Sequence, residues 1–270
     1  MKKKLLSVIQ IILILIIAYS LYNIGSYYYS RYNSGKEFDQ VRDIVKETIN
    51  YEENFIETPS GSGTVTAAGP SENEAELARK SLEELRKINE DIVAYIVVEG
   101  LGIEYPVVYK DNEYYLRRNL QKKYSVAGTL FVEELNKPDF TDMNTIIYGH
   151  NMSNALVKSS AMFEPLIEFV DRDYVNSKDS HIIQIFTEEG IKRYEVFSAY
   201  FTDAYYDYRT INMPGDDWVA YANKIKSNSK YDFKLGREIN ENDKIITLST
   251  CDNVTHDGRM AVHAVLIDGE

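Results

Sequence analysis

From Ile92 to the C-terminus the chain reads as eight short strand-like segments, and this succession limits the available folds more than any other feature. The segments are "IVAYIVVEG", "IEYPVVY", "AGTLFVEE", "NTIIYGH", "SHIIQIFTE", "KRYEVFSAYF", "DKIITLSTC" and "RMAVHAVLI", separated by Gly, Asn, Asp and Pro signals. So many short strands must hide their edges, which a closed barrel or a sandwich does. Two helical interruptions are expected. One is near "SSAMFEPLIEFVD", and the other lies in "PGDDWVAYANKIKSNS", where Trp218, Tyr221, Ala222 and Ile225 recur at helical spacing. With 44% hydrophobic residues among 270, a single domain can hold a sizeable core.

The N-terminus obeys a different rule. "MKKK" precedes an apolar run from Leu5 to about Ile24, long enough to cross a bilayer. Lys2, Lys3 and Lys4 place the short tail on the cytoplasmic side and the remainder outside. A cleaved signal peptide is the competing reading, but "AYS" is a poor cleavage site and the run continues past it, which favours an uncleaved anchor. Phe38, Val41, Ile44, Val45 and Ile49 then predict a short amphipathic helix. "ETPSGSGTVTAAGPSENE" reads as a flexible linker. Ser71 with Glu74 resembles a capping box opening a second helix, with Leu77, Leu82, Leu85 and Ile88 on one face. The resulting division is a tail at 1–4, a span at 5–25, a helical tether and linker at 26–70, and an extracellular domain at 71–270.

A net charge of −12 with dispersed Lys and Arg excludes a nucleic-acid partner. Attention falls instead on Cys251, the single cysteine. Outside the cell cysteines normally pair, so an unpaired one is either a small buried hydrophobe or a thiol whose reactivity is used. If "KIITLST" and "RMAVHAV" form a hairpin, Cys251 closes one strand and Arg259 opens the next, at the same end of the sheet. A guanidinium there lowers the thiol pKa or meets a negative charge that develops in a reaction. Of the four histidines, His263 lies inside an alternating strand and reads as structural, His181 as a surface residue, and His256 as a loop residue. His150 follows the apolar strand "TIIYG" and precedes a loop, a favoured place for a reactive group.

"TLSTC" followed closely by Arg, with "YGHN" about a hundred residues earlier, resembles the sortases, membrane-anchored cysteine transpeptidases of Gram-positive bacteria. "IEYPVVYKDNEYYL" and "AGTLFVEE" extend the resemblance from about Ser71 to the C-terminus. It implies a mainly β fold, a closed eight-stranded barrel with N-terminal helices and a helix inserted before the cysteine-bearing strand. Among sortases the chain is most similar to class B, because helices precede the first strand, a helical insertion separates "VFSAYF" from "DKIITLSTC", and no Asp-Pro lid segment precedes the domain. It departs from many relatives at Tyr95, where they carry Trp, and in its sparse linker.

The resemblance implies that Cys251 attacks a Thr carbonyl in a sorting peptide to give a thioester, that His150 moves the protons, and that Arg259 holds the oxyanion or nearby backbone. It also places Asn112, Leu116, Tyr148 and Ser249 in the peptide groove, although Tyr148 and Leu116 could equally be core and Ser249 could satisfy its own backbone. The implied partners are secreted proteins ending in an Asn/Ser-Pro-x-Thr-x type motif, a peptidoglycan amine as acceptor, and the membrane. No cofactor or metal is expected, since the acidic residues are dispersed. Two rivals remain: a cysteine peptidase using water, and a non-catalytic membrane-tethered peptide-binding module, which the 22 tyrosines would suit.

Overall fold

The computed structural model describes residues 2–49, 72–153, 161–252 and 255–267. The linker and the Ser71 cap lie outside these residues. Helix α1 (Lys2–Ile49) and helix α2 (Glu72–Ile88) precede the strands β1 (Ile92–Val98), β2 (Ile103–Tyr109), β3 (Leu130–Val132) and β4 (Asn144–Tyr148). A short helix α3 (Arg172–Val175) leads to β5 (Ile182–Thr187) and β6 (Gly190–Asp203). Helix α4 (Gly215–Ser227), β7 (Ile245–Cys251) and β8 (Gly258–Leu266) complete the chain.

The strands close into a barrel in the order β1-β2-β3-β4-β7-β8-β6-β5, with β5 returning to β1. This settles the choice between barrel and sandwich. Edges disappear, and every strand pairs on both sides. β2–β3 and β4–β7 are parallel, and the other pairings are antiparallel. Parallel neighbours need long connections. Those connections, from Tyr109 to Leu130 and from Tyr148 to Ile245, carry the irregular segments that surround one barrel mouth.

The barrel core is β-branched and aromatic, with Ile96, Val107, Leu130, Ile146, Ile185, Leu248 and Val262 fully buried. Each such side chain contributes roughly 1.5–3 kcal/mol through removal from water. A second cluster lies outside the barrel wall, where α4 sets Trp218, Tyr221, Ala222 and Ile225 against Phe197, Ile245 and Val265. Trp218 satisfies its indole by donating to the Asp243 carbonyl at 3.0 Å. These are the four helical residues marked by their spacing.

The first expected interruption is a 3₁₀ segment at Glu164–Val170 followed by the single turn of α3. Asp171 divides the two, because its carboxylate caps the Asp173 and Tyr174 amides and so restarts the helix.

α1 is one continuous helix where a membrane span and a separate amphipathic helix are expected from the sequence. No proline interrupts residues 2–49, so nothing breaks the hydrogen-bond ladder between the two parts. Its far end is docked against the domain. Phe38, Val41 and Val45 are buried, and Phe38 meets Tyr105 edge to face at 5.0 Å. Glu37 accepts the Leu120 amide at 2.9 Å, and Arg42 pairs with Glu104 at 3.0 Å.

His181 corrects the sequence reading. It is 5% exposed, enclosed by Phe169, Tyr174 and Phe233, with Nε2 3.1 Å from the Val175 carbonyl. The polar stretch "NSKDS" before it suggested a surface position, but α3 and the 3₁₀ segment fold over that end of β5. His263 is structural as its pattern suggested. It is fully buried between the Thr247 and Tyr200 hydroxyls at 2.9 and 3.2 Å, and burial pushes its pKa down to about 3.

Candidate active site

The site forms where β4, β7 and β8 end. β7 and β8 are antiparallel, and their last registered pair is Cys251 with Arg259. A one-residue slip of either strand would turn its own side chain to the other face and part the pair. The turn between them holds the register: the Asp252 amide donates to the Gly258 carbonyl at 3.1 Å, and the Asp252 carboxylate accepts the Thr255 hydroxyl at 2.7 Å. Gly258 leaves room for this, since a Cβ there would lie 2.0 Å from the Thr255 hydroxyl and 2.2 Å from the Asp252 carboxylate.

His150 arrives from β4, which runs parallel to β7, so both strands deliver their last residues to the same barrel mouth. The residues on each side of His150 are tied to β7. The Gly149 amide donates to the Ser249 carbonyl at 3.1 Å, and Asn151 Nδ2 donates to the Cys251 carbonyl at 3.0 Å. Gly149 is sterically required. A Cβ would fall 2.3 Å from Leu130 Cδ2 and 2.7 Å from the Phe163 ring.

His150 Nε2 lies 2.7 Å from the Leu116 carbonyl oxygen, which can only accept. Nε2 therefore carries a proton, and in the neutral ring Nδ1 is the basic nitrogen. Burial holds the His150 pKa below the usual histidine value, the Leu116 contact works against this, and the Arg117 charge lowers it further. Cys251 itself is half-buried, not sealed in the core.

A cleft of about 230 Å³ opens over these groups and is lined by Cys251, His150 and Arg259. Asn112, Leu116, Tyr148 and Ser249 line it too. All seven residues singled out in the sequence thus share one concavity. His256 lies apart from it in the turn, its side chain 96% exposed. Ser249 precedes Cys251 by two residues and shares its face of β7, while Tyr148 registers with Ser249 on β4. Ser249 does not turn back on its own backbone. Its Oγ is 2.9 Å from the Tyr208 hydroxyl.

The structure adds residues that the sequence reading did not name. Tyr208 and Arg209 line the cleft from the β6–α4 connection, with the Arg209 guanidinium 5.4 Å from the Tyr208 ring. "DAYYDYRT" has no periodicity, and its one signal is the density of tyrosines beside an Arg. Glu133 lies behind the cleft wall, and "FVEE" gave no sign that its first carboxylate is buried. Among the described residues no group of His, Cys, Asp and Glu is disposed to hold a metal ion.

The chain matches the sortase domain over residues 96–267. It is 34% identical to sortase B of Listeria monocytogenes over 195 residues, covering 70% of this chain and 75% of that protein. An X-ray structure of a mutant form of Clostridium perfringens sortase B superposes with a TM-score of 0.69 at 27% identity, over 87% of this chain and 98% of that one. Sortase B from B. anthracis, in complex with AAEK1, gives 0.68 at 29% identity, over 90% and 100%. The barrel, the N-terminal helices and this sequence similarity together place the chain in the sortase family, as a cysteine transpeptidase of class B.

Proposed function

We propose that the enzyme cleaves a C-terminal sorting peptide of the Asn/Ser-Pro-x-Thr-x type after Thr and transfers the carried protein to a peptidoglycan amine. The observation that supports this reading is the convergence of Cys251, His150 and Arg259 in one cleft. A thiol at a strand end, registered with an arginine and sharing a cleft with an imidazole just past the end of the parallel strand, fits nucleophilic acyl transfer.

In the first half-reaction the Cys251 thiol passes its proton to His150, and the thiolate adds to the Thr carbonyl carbon. Arg259 stabilises the oxyanion, a contribution of about 3 kcal/mol for a comparable donor. The Thr–x amide bond breaks, the departing nitrogen takes a proton from His150, and a thioester remains on Sγ. In the second half-reaction the acceptor amine adds to the thioester and gives its proton to His150. The thiolate leaves as the new amide forms. Asn112, Leu116, Tyr148 and Ser249 hold the peptide upstream of the scissile bond.

α1 is long and apolar enough to cross a membrane, with a mean hydropathy of 1.8 in its apolar window. With the N-terminal lysines cytoplasmic, it would anchor the catalytic domain outside the cell. Mass spectrometry of products from Pro-x-Thr peptides with an added amine, oligoglycine or diaminopimelate, tests the reading. An amine-linked acyl product that disappears in Cys251→Ala is expected. Free acid as the sole product, at the same yield with and without amine, would make the enzyme a peptidase instead.

A further inference from the structure

Glu133 is 8% exposed and sits immediately after β3, behind the part of the cleft wall built by Asn112 and Tyr148. Its carboxylate receives three donors. Asn112 Nδ2 lies 2.6 Å and the Leu135 amide 3.4 Å from Oε1, and the Tyr148 hydroxyl lies 2.7 Å from Oε2. Asn112 is held from its other side as well, its Oδ1 accepting the Glu134 amide at 2.9 Å. Arg209 Nη1 approaches the Tyr148 oxygen at 3.4 Å from across the cleft.

This chain of contacts fixes more than position. A carboxylate only accepts, so the single hydroxyl proton of Tyr148 is committed to Glu133. The Tyr148 oxygen, which also accepts from Arg209 Nη1 at 3.4 Å, can then offer the cleft its remaining lone pair and no proton. Likewise the Asn112 amide cannot flip, because its nitrogen faces Glu133 and its oxygen faces the Glu134 amide. We infer that Glu133 is a positioning residue for peptide selection: by consuming the Tyr148 proton it makes this wall of the cleft accept from a donor-bearing side chain and reject a carboxylate.

The inference rests on the proposed peptide substrate and assigns this wall to the first motif position, because Asn or Ser there is the donor-bearing side chain that the proposed motif fixes upstream of Thr. In Glu133→Gln the shape is kept but the polarity at Tyr148 reverses. The amide oxygen takes over the contacts to Asn112 and Leu135, the amide nitrogen donates to the Tyr148 oxygen, and the Tyr148 proton is released to point into the cleft. Both this reversal and the loss of negative charge favour a carboxylate on the peptide.

Two peptides, identical but for Asn or Asp at the first motif position, are assayed for kcat/KM with the wild type, Glu133→Gln, Tyr148→Phe and the double variant. The wild type should prefer Asn. Glu133→Gln should lower the Asn/Asp ratio by about tenfold, the size of one hydrogen-bond difference, with the change in KM and not in kcat. Tyr148→Phe should lower the ratio too, and adding Glu133→Gln to it should change the ratio by less than Glu133→Gln does alone, since the part that passes through the hydroxyl is already gone. An unchanged ratio in Tyr148→Phe, or additive effects in the double variant, overturns the inference even if Glu133→Gln alone folds poorly. An unchanged ratio in a well-folded Glu133→Gln overturns it as well. A wild type that turns over neither peptide contradicts the substrate reading and removes this inference with it.

Discussion

Cys251 and Arg259 are opposite members of the final registered pair between β7 and β8, so strand pairing sets the backbone positions from which the thiol and the guanidinium start. The positional precision that acyl transfer needs is thereby supplied by the rigid barrel.

Arg259→Ala should lower kcat/KM for peptide cleavage by about a hundredfold or more, as for loss of a single oxyanion donor. The fall should lie mainly in kcat, because the interaction strengthens as charge develops. Steady-state kinetics decide the matter. A rise confined to KM would instead make Arg259 a ground-state binding residue.

Gly149→Ala tests how His150 is delivered. The added methyl would overlap Leu130 and Phe163, so the chain must move at the residue that leads into His150. Overpacking of this kind costs about 1–3 kcal/mol. Activity should fall by more than the stability loss explains, at a temperature where the variant is still fully folded by circular dichroism. Wild-type kcat in such a folded sample would show that His150 tolerates displacement.

The fold and the site were legible in unequal measure. Cys251 and Arg259 could be matched because seven residues between two alternating strands leave a hairpin as the natural pairing. His150 could be chosen because an apolar strand ends directly before it. The parallel neighbours β2–β3 and β4–β7 left no local trace, since their connections span many residues, and only closure of the barrel pairs them. His181 is concealed in the sequence because its burial by Phe169, Tyr174 and Phe233 is a tertiary event that the polar residues before it do not reveal. Glu133 escaped notice for the same reason: a Glu after a strand usually faces water, and its partners Asn112 and Tyr148 are distant in sequence.

The buried His263 predicts acid sensitivity of the fold. Its folded pKa is about 3, whereas an unfolded histidine titrates near 6.5. Between these values the unfolded chain binds the extra proton, so this group's contribution is complete above about pH 6.5 and is lost as pH falls toward 3. His150 and His181, also lowered by burial, act in the same direction, while Glu37 and Glu195, raised by burial, act against it. Urea unfolding of the wild type and His263→Gln from pH 7 to 4.5 isolates the term. The variant should show the shallower loss of stability with acid, by roughly 1–3 kcal/mol across that range. Parallel pH dependences would contradict a neutral His263 in the fold.

Docking of α1 predicts that its C-terminal part is integral to the domain. Phe38→Ala removes a buried ring from Tyr105 and should reduce unfolding free energy by about 3 kcal/mol. Denaturant unfolding of the full chain in detergent measures it. No change would mean that the helix leaves the barrel in solution.

The central claim is a covalent acyl intermediate on Cys251, and intact-protein mass spectrometry after brief mixing with a Pro-x-Thr peptide tests it most directly. The expected result is a mass increase equal to the peptide acyl group ending in Thr, located on Cys251, released by an added amine and missing in Cys251→Ala. Peptide cleavage that continues in Cys251→Ala, or an acyl group found on any other residue, would contradict it.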